Sequence, residues 1–315
     1  MTNRSLRIAT VLSAAARRVP GVGRVLGRCA GYTDSASYCY GVWLRHLSQV
    51  MEHGQADLPN AVAELGPGPS LGTLLAALLS GVQQGFAFDV TAHADSEVRN
   101  LRVLGELVER FQVRAPIPDQ AELPDVRPSL EAYGFPDALS GHMWASSALA
   151  PERIERLRDS LRGRDTLVRY VAPWREERLL QPASVDLIFS QAVLEHVTDL
   201  SGVYGACREW LRPGGLMSHQ IDFRCHGTAR HWNGHLTYSD RMWSFMSAAR
   251  PYLINRQPYS VHRRLLREAG FELLYQQLHS LPSQLVRSDL APRFQDLDDS
   301  DLTTSGVYLL ARRLD

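Results

Sequence analysis

The feature that most constrains this chain is a short apolar run, Ala61–Leu65, leading directly into Gly66-Pro67-Gly68-Pro69-Ser70-Leu71-Gly72 and then an apolar helical stretch, Leu74–Ser80. A glycine-rich bend between a strand and a helix lets a ligand approach the main chain, because glycine lacks a Cβ and tolerates positive φ. The helix start beyond it offers N–H groups to an anion. A second strand is predicted over Gly85–Val90, with Asp89 near its end, where a carboxylate can grip sugar hydroxyls. The alternation continues with a helix over 96–111, a helix over Pro151–Leu161 and strands over Leu167–Val171 and Val185–Ser190. A helix over Asp199–Leu211 closes at Arg212-Pro213-Gly214-Gly215, and a strand covers Leu216–Ile221. A helix over Val261–Ala269 stops at Gly270, and strands over Phe271–His279 and Gly306–Arg312 end the chain. Strand–helix alternation of this kind predicts an α/β fold with a mostly parallel sheet covered on both faces.

The 315 residues are enough to bury a full core without disulfides or metal. Basic and acidic residues balance at 34 each, which argues against a broad nucleic-acid-binding surface. No apolar run approaches the roughly 18–20 residues of a membrane span. Cys29, Cys39, Cys207 and Cys225 form no C-x-x-C pair, so reduced thiols and a cytoplasmic location are expected. Every basic residue other than histidine is arginine, which excludes lysine Schiff-base chemistry.

Residues 1–57 read as an N-terminal helical arm or cap, and 58–315 as the main domain with insertions near 112–150 and 222–258. The first 33 residues hold six arginines and no acid, which leaves three readings: a basic helix on a membrane or partner, a targeting peptide, or a cap over the site. The next helix is predicted over Ser35–His53, with Asp34 as N-cap and Gly54 closing it at positive φ. Trp43, Leu47 and Val50 form its apolar stripe, and Arg45 and His46 lie off it. That polar pair either faces solvent, or Tyr40 or Arg45 lines a ligand pocket beneath the helix.

With Glu64 two residues before the first glycine, the chain resembles a class I S-adenosylmethionine-dependent methyltransferase. The resemblance rests on Glu64–Gly72, Asp89, Val185–Ser190 with Leu194-Glu195-His196-Val197, and Leu211–Gly215. It spans about residues 60–220 and implies a seven-stranded sheet whose last strand is antiparallel. It also implies S-adenosyl-L-methionine as cofactor. Glu64 would help bind it, Gly66, Pro67 and Gly68 would lie under its methionine part, Asp89 at the ribose, and Ser190 or Gln191 beside the methyl-bearing end. One departure is Ala172-Pro173-Trp174, where the family often has an acid near the adenine. A nicotinamide-binding sheet is the other nucleotide reading, and the Leu-Glu-His-Val and Pro-Gly-Gly context argues against it.

Methyl transfer to oxygen or nitrogen often requires a proton to be removed, and histidine suits that near neutral pH. Ligands of open α/β sheets bind beyond the strands' carboxyl ends. His219 or His226 is therefore the expected general base, with Asp222 orienting it, and His231, Trp232 and His235 are expected around the acceptor. Trp243 walls the pocket or packs the insertion. Glu195 and His196 resemble part of an E-x-x-E-H metal motif, but Ala192 replaces its first acid; a divalent ion held by this pair with His219 or His226 is the minor reading, and no metal is assigned. The expected activity is methylation of a small molecule such as a natural product or sugar precursor. A macromolecular acceptor and a cofactor-binding module without turnover are the alternatives. The sequence leaves oligomeric state open.

Overall fold

The structure is a computed structural model that describes residues 32–55, 57–174, 179–249 and 252–315. Its sheet contains β1 (Ala61–Leu65), β2 (Gln84–Phe88), β3 (Val168–Val171), β4 (Val185–Gln191), β5 (Leu211–Asp222), β6 (Phe271–Ser280) and β7 (Thr304–Arg313). The order is β3-β2-β1-β4-β5-β7-β6. The first five strands run parallel, and β7 runs antiparallel between β5 and β6. The predicted sheet is therefore observed. β5 starts earlier than expected because the Pro-Gly-Gly turn lies within it, absorbed by a register shift between Val185 and Leu187. Asp186 fixes the start of β1 by accepting from the amides of Asn60 and Ala61, both at 2.8 Å, while pairing with Arg212.

The helices are α1 (Ala36–His53), α2 (Gly72–Leu79), α3 (Glu97–Gln112), α4 (His142–Ala148), α5 (Pro151–Leu161), α6 (Leu200–Trp210), α7 (Asp240–Ala249), α8 (Tyr259–Glu268) and α9 (Asp299–Thr303). Successive strand residues point to opposite faces. Leu187, Phe189 and Leu216 pack under α1, α2 and α3, while Ile188 and Met217 pack under α6 and α8. α2 is buried throughout, which explains its unbroken apolar sequence.

The boundary drawn at residue 57 does not separate two cores. Tyr40, Trp43, Leu47 and Val50 of α1 belong to the same apolar cluster as the strands, so α1 is a layer of the main domain. Its N-cap is Ser35, whose Oγ accepts from the Tyr38 amide, and Gly54 closes it at φ −110° instead of a positive angle. Arg45 and His46 are fully buried, which overturns the solvent reading. The readings of the arginine-rich first 31 residues, with Cys29, lie outside the described residues. Among the described residues no helix is long and apolar enough to cross a membrane. The second insertion has its own small core around Tyr238, Trp243, Met246 and Ile254.

Candidate active site

The glycine bend joins β1 to α2. Gly66 has φ +65° and Gly68 φ +71°. A Cβ on Gly66 would stand 2.6 Å from a Val193 methyl, whereas one on Gly68 would meet only Thr33 Oγ1 at 3.4 Å. Pro67 between them is buried. The N–H groups expected to await an anion are already bonded. Ser70 N donates to Thr33 Oγ1 at 3.1 Å, Leu71 N to Asn100 Oδ1 at 3.0 Å and Gly72 N to Ser70 Oγ at 3.1 Å. The Glu64 carboxyl takes the Leu74 amide and the Thr73 hydroxyl.

Glu64 Oε2 remains buried without a hydrogen-bond partner. Burial pushes this carboxyl up to about 8, opposed by the Leu74 and Thr73 donors and reinforced by nearby Asp89. Asp89 lies just past β2. Its Oδ1 accepts from the amides of Val90 at 2.7 Å and Thr91 at 3.3 Å. Its main chain is tied on both sides, to Val171 O at 3.1 Å and from the Trp174 amide at 2.6 Å. Burial raises the Asp89 carboxyl, while the Thr91 amide and His93 oppose the rise. The Trp174 ring packs on Trp210 and Phe88, with centroids 5.2 and 6.0 Å away.

Strand alternation separates Ser190 from Gln191 at the end of β4. Ser190 Oγ meets His219 Nδ1 at 2.8 Å, with both residues fully buried. Gln191 turns to the other face, where its Oε1 meets His46 Nε2 at 3.1 Å. His46 Nδ1 in turn meets Ser218 Oγ at 2.7 Å, and Ser218 Oγ meets the Tyr308 hydroxyl at 2.7 Å. Burial brings His46 down to about 4 and His219 to about 3, so both imidazoles are neutral at pH 7.

The predicted histidine cluster is thus divided. His219 is inside the sheet, whereas His226, at φ +46°, places Nε2 3.3 Å from Asp222 Oδ2 at the carboxyl end of β5. Asp222 is also held by Arg224 through Nε at 3.0 Å and Nη2 at 2.8 Å, and against the effect of burial His226 and Arg224 together keep its carboxyl well below the usual range. His231 is half-buried, and its carbonyl accepts from Gly234 at 2.9 Å. Trp232 donates from Nε1 to Pro282 O at 3.1 Å. His235 is buried beside Trp243. The Tyr40 hydroxyl donates to the Ala115 carbonyl; Arg45 Nη1 donates to Pro118 O at 2.9 Å, with its guanidinium over the Tyr133 ring. Both therefore brace the first insertion.

Glu195 and His196 form the turn after β4. Glu195 is buried, and neither carboxyl oxygen closes a hydrogen bond of normal geometry. Burial raises it well above the ordinary carboxylate range, reinforced by the Asp222 charge, and the nearby amides of Glu195 and Asp222 only partly relieve this. Among the described residues no three His, Cys, Asp or Glu side chains converge as a metal set. His219 is held away at Ser190, whereas the His196 and His226 rings lie with centroids 5.2 Å apart and His226 points its Nε2 at Asp222.

Sequence reasoning missed three residues. Asn255 clamps the β4 turn, donating from its amide to Glu195 O at 2.6 Å and from Nδ2 to Leu194 O and Val197 O, both at 2.8 Å. Arg256 is buried at φ +62° and donates to Tyr238 O and Asp240 Oδ1, both at 2.7 Å. Tyr38 lies within electrostatic range of both Glu64 and Glu195, linking the bend to the β4 turn. No spacing marks these residues, because their partners are distant in sequence. The second insertion lies over a small, partly open pocket lined by Glu195, Asp222, Trp232, His235 and Arg256 among others.

The family model described as a methyltransferase domain matches residues 141–218. No curated protein matches the chain. Similar solved structures include an S-adenosylmethionine-dependent methyltransferase from Mesorhizobium loti, at 12% identity, with 87% of this chain and 98% of that one covered and a TM-score of 0.41. Another is from Methanosarcina mazei, at 12% identity, 82% and 94% coverage and a TM-score of 0.42. The sheet order with its antiparallel last strand, together with the matched domain, defines a class I, Rossmann-like S-adenosylmethionine-dependent methyltransferase fold. S-adenosylmethionine is the cofactor of that class.

Proposed function

We propose that this protein transfers a methyl group from S-adenosylmethionine to an oxygen or nitrogen of a small molecule held beneath the second insertion. The observation that carries this reading is the fit at the bend. Two glycines at positive φ leave the main chain bare, Glu64 keeps a buried acceptor oxygen without a partner, and Asp89 is held rigidly next to them. Glu64 Oε2 suits the cofactor's amino group, and Asp89 suits its ribose hydroxyls. When bound, the cofactor supplies an electrophilic methyl on a sulfonium.

The chain's contribution is mainly positioning, which can lower such a barrier by several kcal/mol. If Gln191 accepts from His46 through Oε1, its amide N–H₂ is directed away from that bond, where it can help define the acceptor's approach. His226 replaces His219 as the candidate base. It is partly exposed beside Asp222, whereas His219 is sealed and too weakly basic to take a proton near neutral pH. A cytoplasmic location, expected from cysteines without a C-x-x-C pair, and a free small-molecule acceptor, favoured by the balanced charge, complete the reading.

Calorimetry with S-adenosylhomocysteine tests it. Asp89→Ala should weaken binding by about 10–150-fold, the range for losing charge-assisted hydrogen bonds of about 1.5–3 kcal/mol. Unchanged affinity refutes the ribose role. A methyl-labelled cofactor incubated with a metabolite extract should label small molecules. Label confined to macromolecules, or no transfer, refutes the acceptor assignment.

A further inference from the structure

We infer that the pocket beneath the second insertion is an acceptor subsite for an amine, with Glu195 as the group that holds it. This rests on the methyltransferase reading above and adds the substrate class. The unpartnered buried atoms of the lining are mostly acceptors. Glu195 leaves both carboxyl oxygens without a hydrogen bond of normal geometry, and Asn233 leaves Oδ1. The Asn233 Nδ2 is committed to Ser283 Oγ at 3.0 Å and Leu302 O at 3.2 Å, so its oxygen is the side left over. His235 leaves Nδ1, which can accept or donate according to tautomer; on the donor side only Arg256 leaves Nε.

Charge points the same way. Asp222 is neutralised by Arg224, and Arg256 by Asp240. Asp301 accepts from the Ser260 amide at 3.1 Å and from its hydroxyl at 2.5 Å. Glu195, only 2% exposed, is the lining carboxyl with no ion pair and no hydrogen bond of normal geometry among the described residues. Burial favours the proton on Glu195, and ionising this carboxyl is costly unless a cation or several donors join it. An ammonium supplies both and returns its proton to Glu195 to free the lone pair that takes the methyl, whereas a hydroxyl supplies one donor without charge. Phe223, Leu236 and Ile254 give the remaining wall an apolar character suited to a hydrocarbon body.

The test is a matched pair of probes, benzylamine and benzyl alcohol, titrated into the full chain with and without saturating S-adenosylhomocysteine. Benzylamine is expected to bind at least tenfold more tightly, and Glu195→Gln to abolish that preference while still binding S-adenosylhomocysteine like the wild type. That retained binding shows that the variant is folded. Equal affinity of the two probes, binding of neither, or a preference that survives Glu195→Gln overturns the inference. Failure of S-adenosylhomocysteine to bind the wild type counts against the cofactor reading alone, because amine selectivity is also read without it.

Discussion

Gly66 and Gly68 share a left-handed backbone but differ in what surrounds them. At Gly66 a methyl would strain the bend and strike Val193, which precedes the β4 turn; at Gly68 only the backbone strain applies. Strain of this kind costs about 1–3 kcal/mol. Gly66→Ala should therefore lower the thermal unfolding midpoint more than Gly68→Ala, and it should also disturb the Glu195 turn. Differential scanning calorimetry checks this, and equal midpoints would show that Val193 yields freely. The need for glycine was legible in the sequence because a strand-to-helix bend at a ligand requires it. The second reason for Gly66 was not, since Val193 is far along the chain. His46 was illegible for a related cause. It lies off the α1 stripe, but α1 is covered on more than one side, so an imidazole predicted in solvent instead bonds Gln191 and Ser218.

At the scale of elements, the third glycine of the bend is a packing device. A Cβ on Gly72 would stand 2.4 Å from Cys39 Sγ in α1 and 2.8 Å from Val103 in α3. The first turn of α2 can approach both helices only because that position is bare. Gly72→Ala is expected to destabilise the fold by about 1–3 kcal/mol, the usual cost of overpacking. Adding Cys39→Ala should recover part of that loss, and urea unfolding of the single and double variants measures the coupling. Strict additivity would mean that the α1–α2 contact does not limit this position. The sheet was readable almost strand by strand because its apolar runs and turn residues repeat in order. The binding role of the α2 N-terminus was misread because Thr33, Ser70 and Asn100, which occupy its amides, carry no local signal of their destination.

Across the whole molecule, the buried titratable groups oppose one another. Burial lowers His46 to about 4 and His219, His235 and His262 to about 3. In acid the unfolded chain binds protons at these imidazoles that the folded chain refuses. Their contribution is complete above the unfolded value near 6.5 and is lost as pH falls toward the folded values. Each histidine adds a slope of up to about 1.4 kcal/mol per pH unit in that window. Glu64 acts with the opposite sign. Its folded carboxyl holds a proton up to about 8, so its contribution is present below the unfolded value near 4.5 and is lost as pH rises through 8. Glu195 is shifted in the same direction. Stability should therefore peak near neutrality, with a steeper acid limb because more imidazoles than carboxyls are involved. Urea midpoints at pH 5, 7 and 9 should rise and then fall, and Glu64→Gln should steepen the rise from pH 5 to 7 and flatten the fall above it, because the Glu64 contribution is lost from about 4.5 up to about 8. A midpoint highest at pH 5 would contradict the neutral, sealed state of these histidines, and with it the reason for moving the base from His219 to His226.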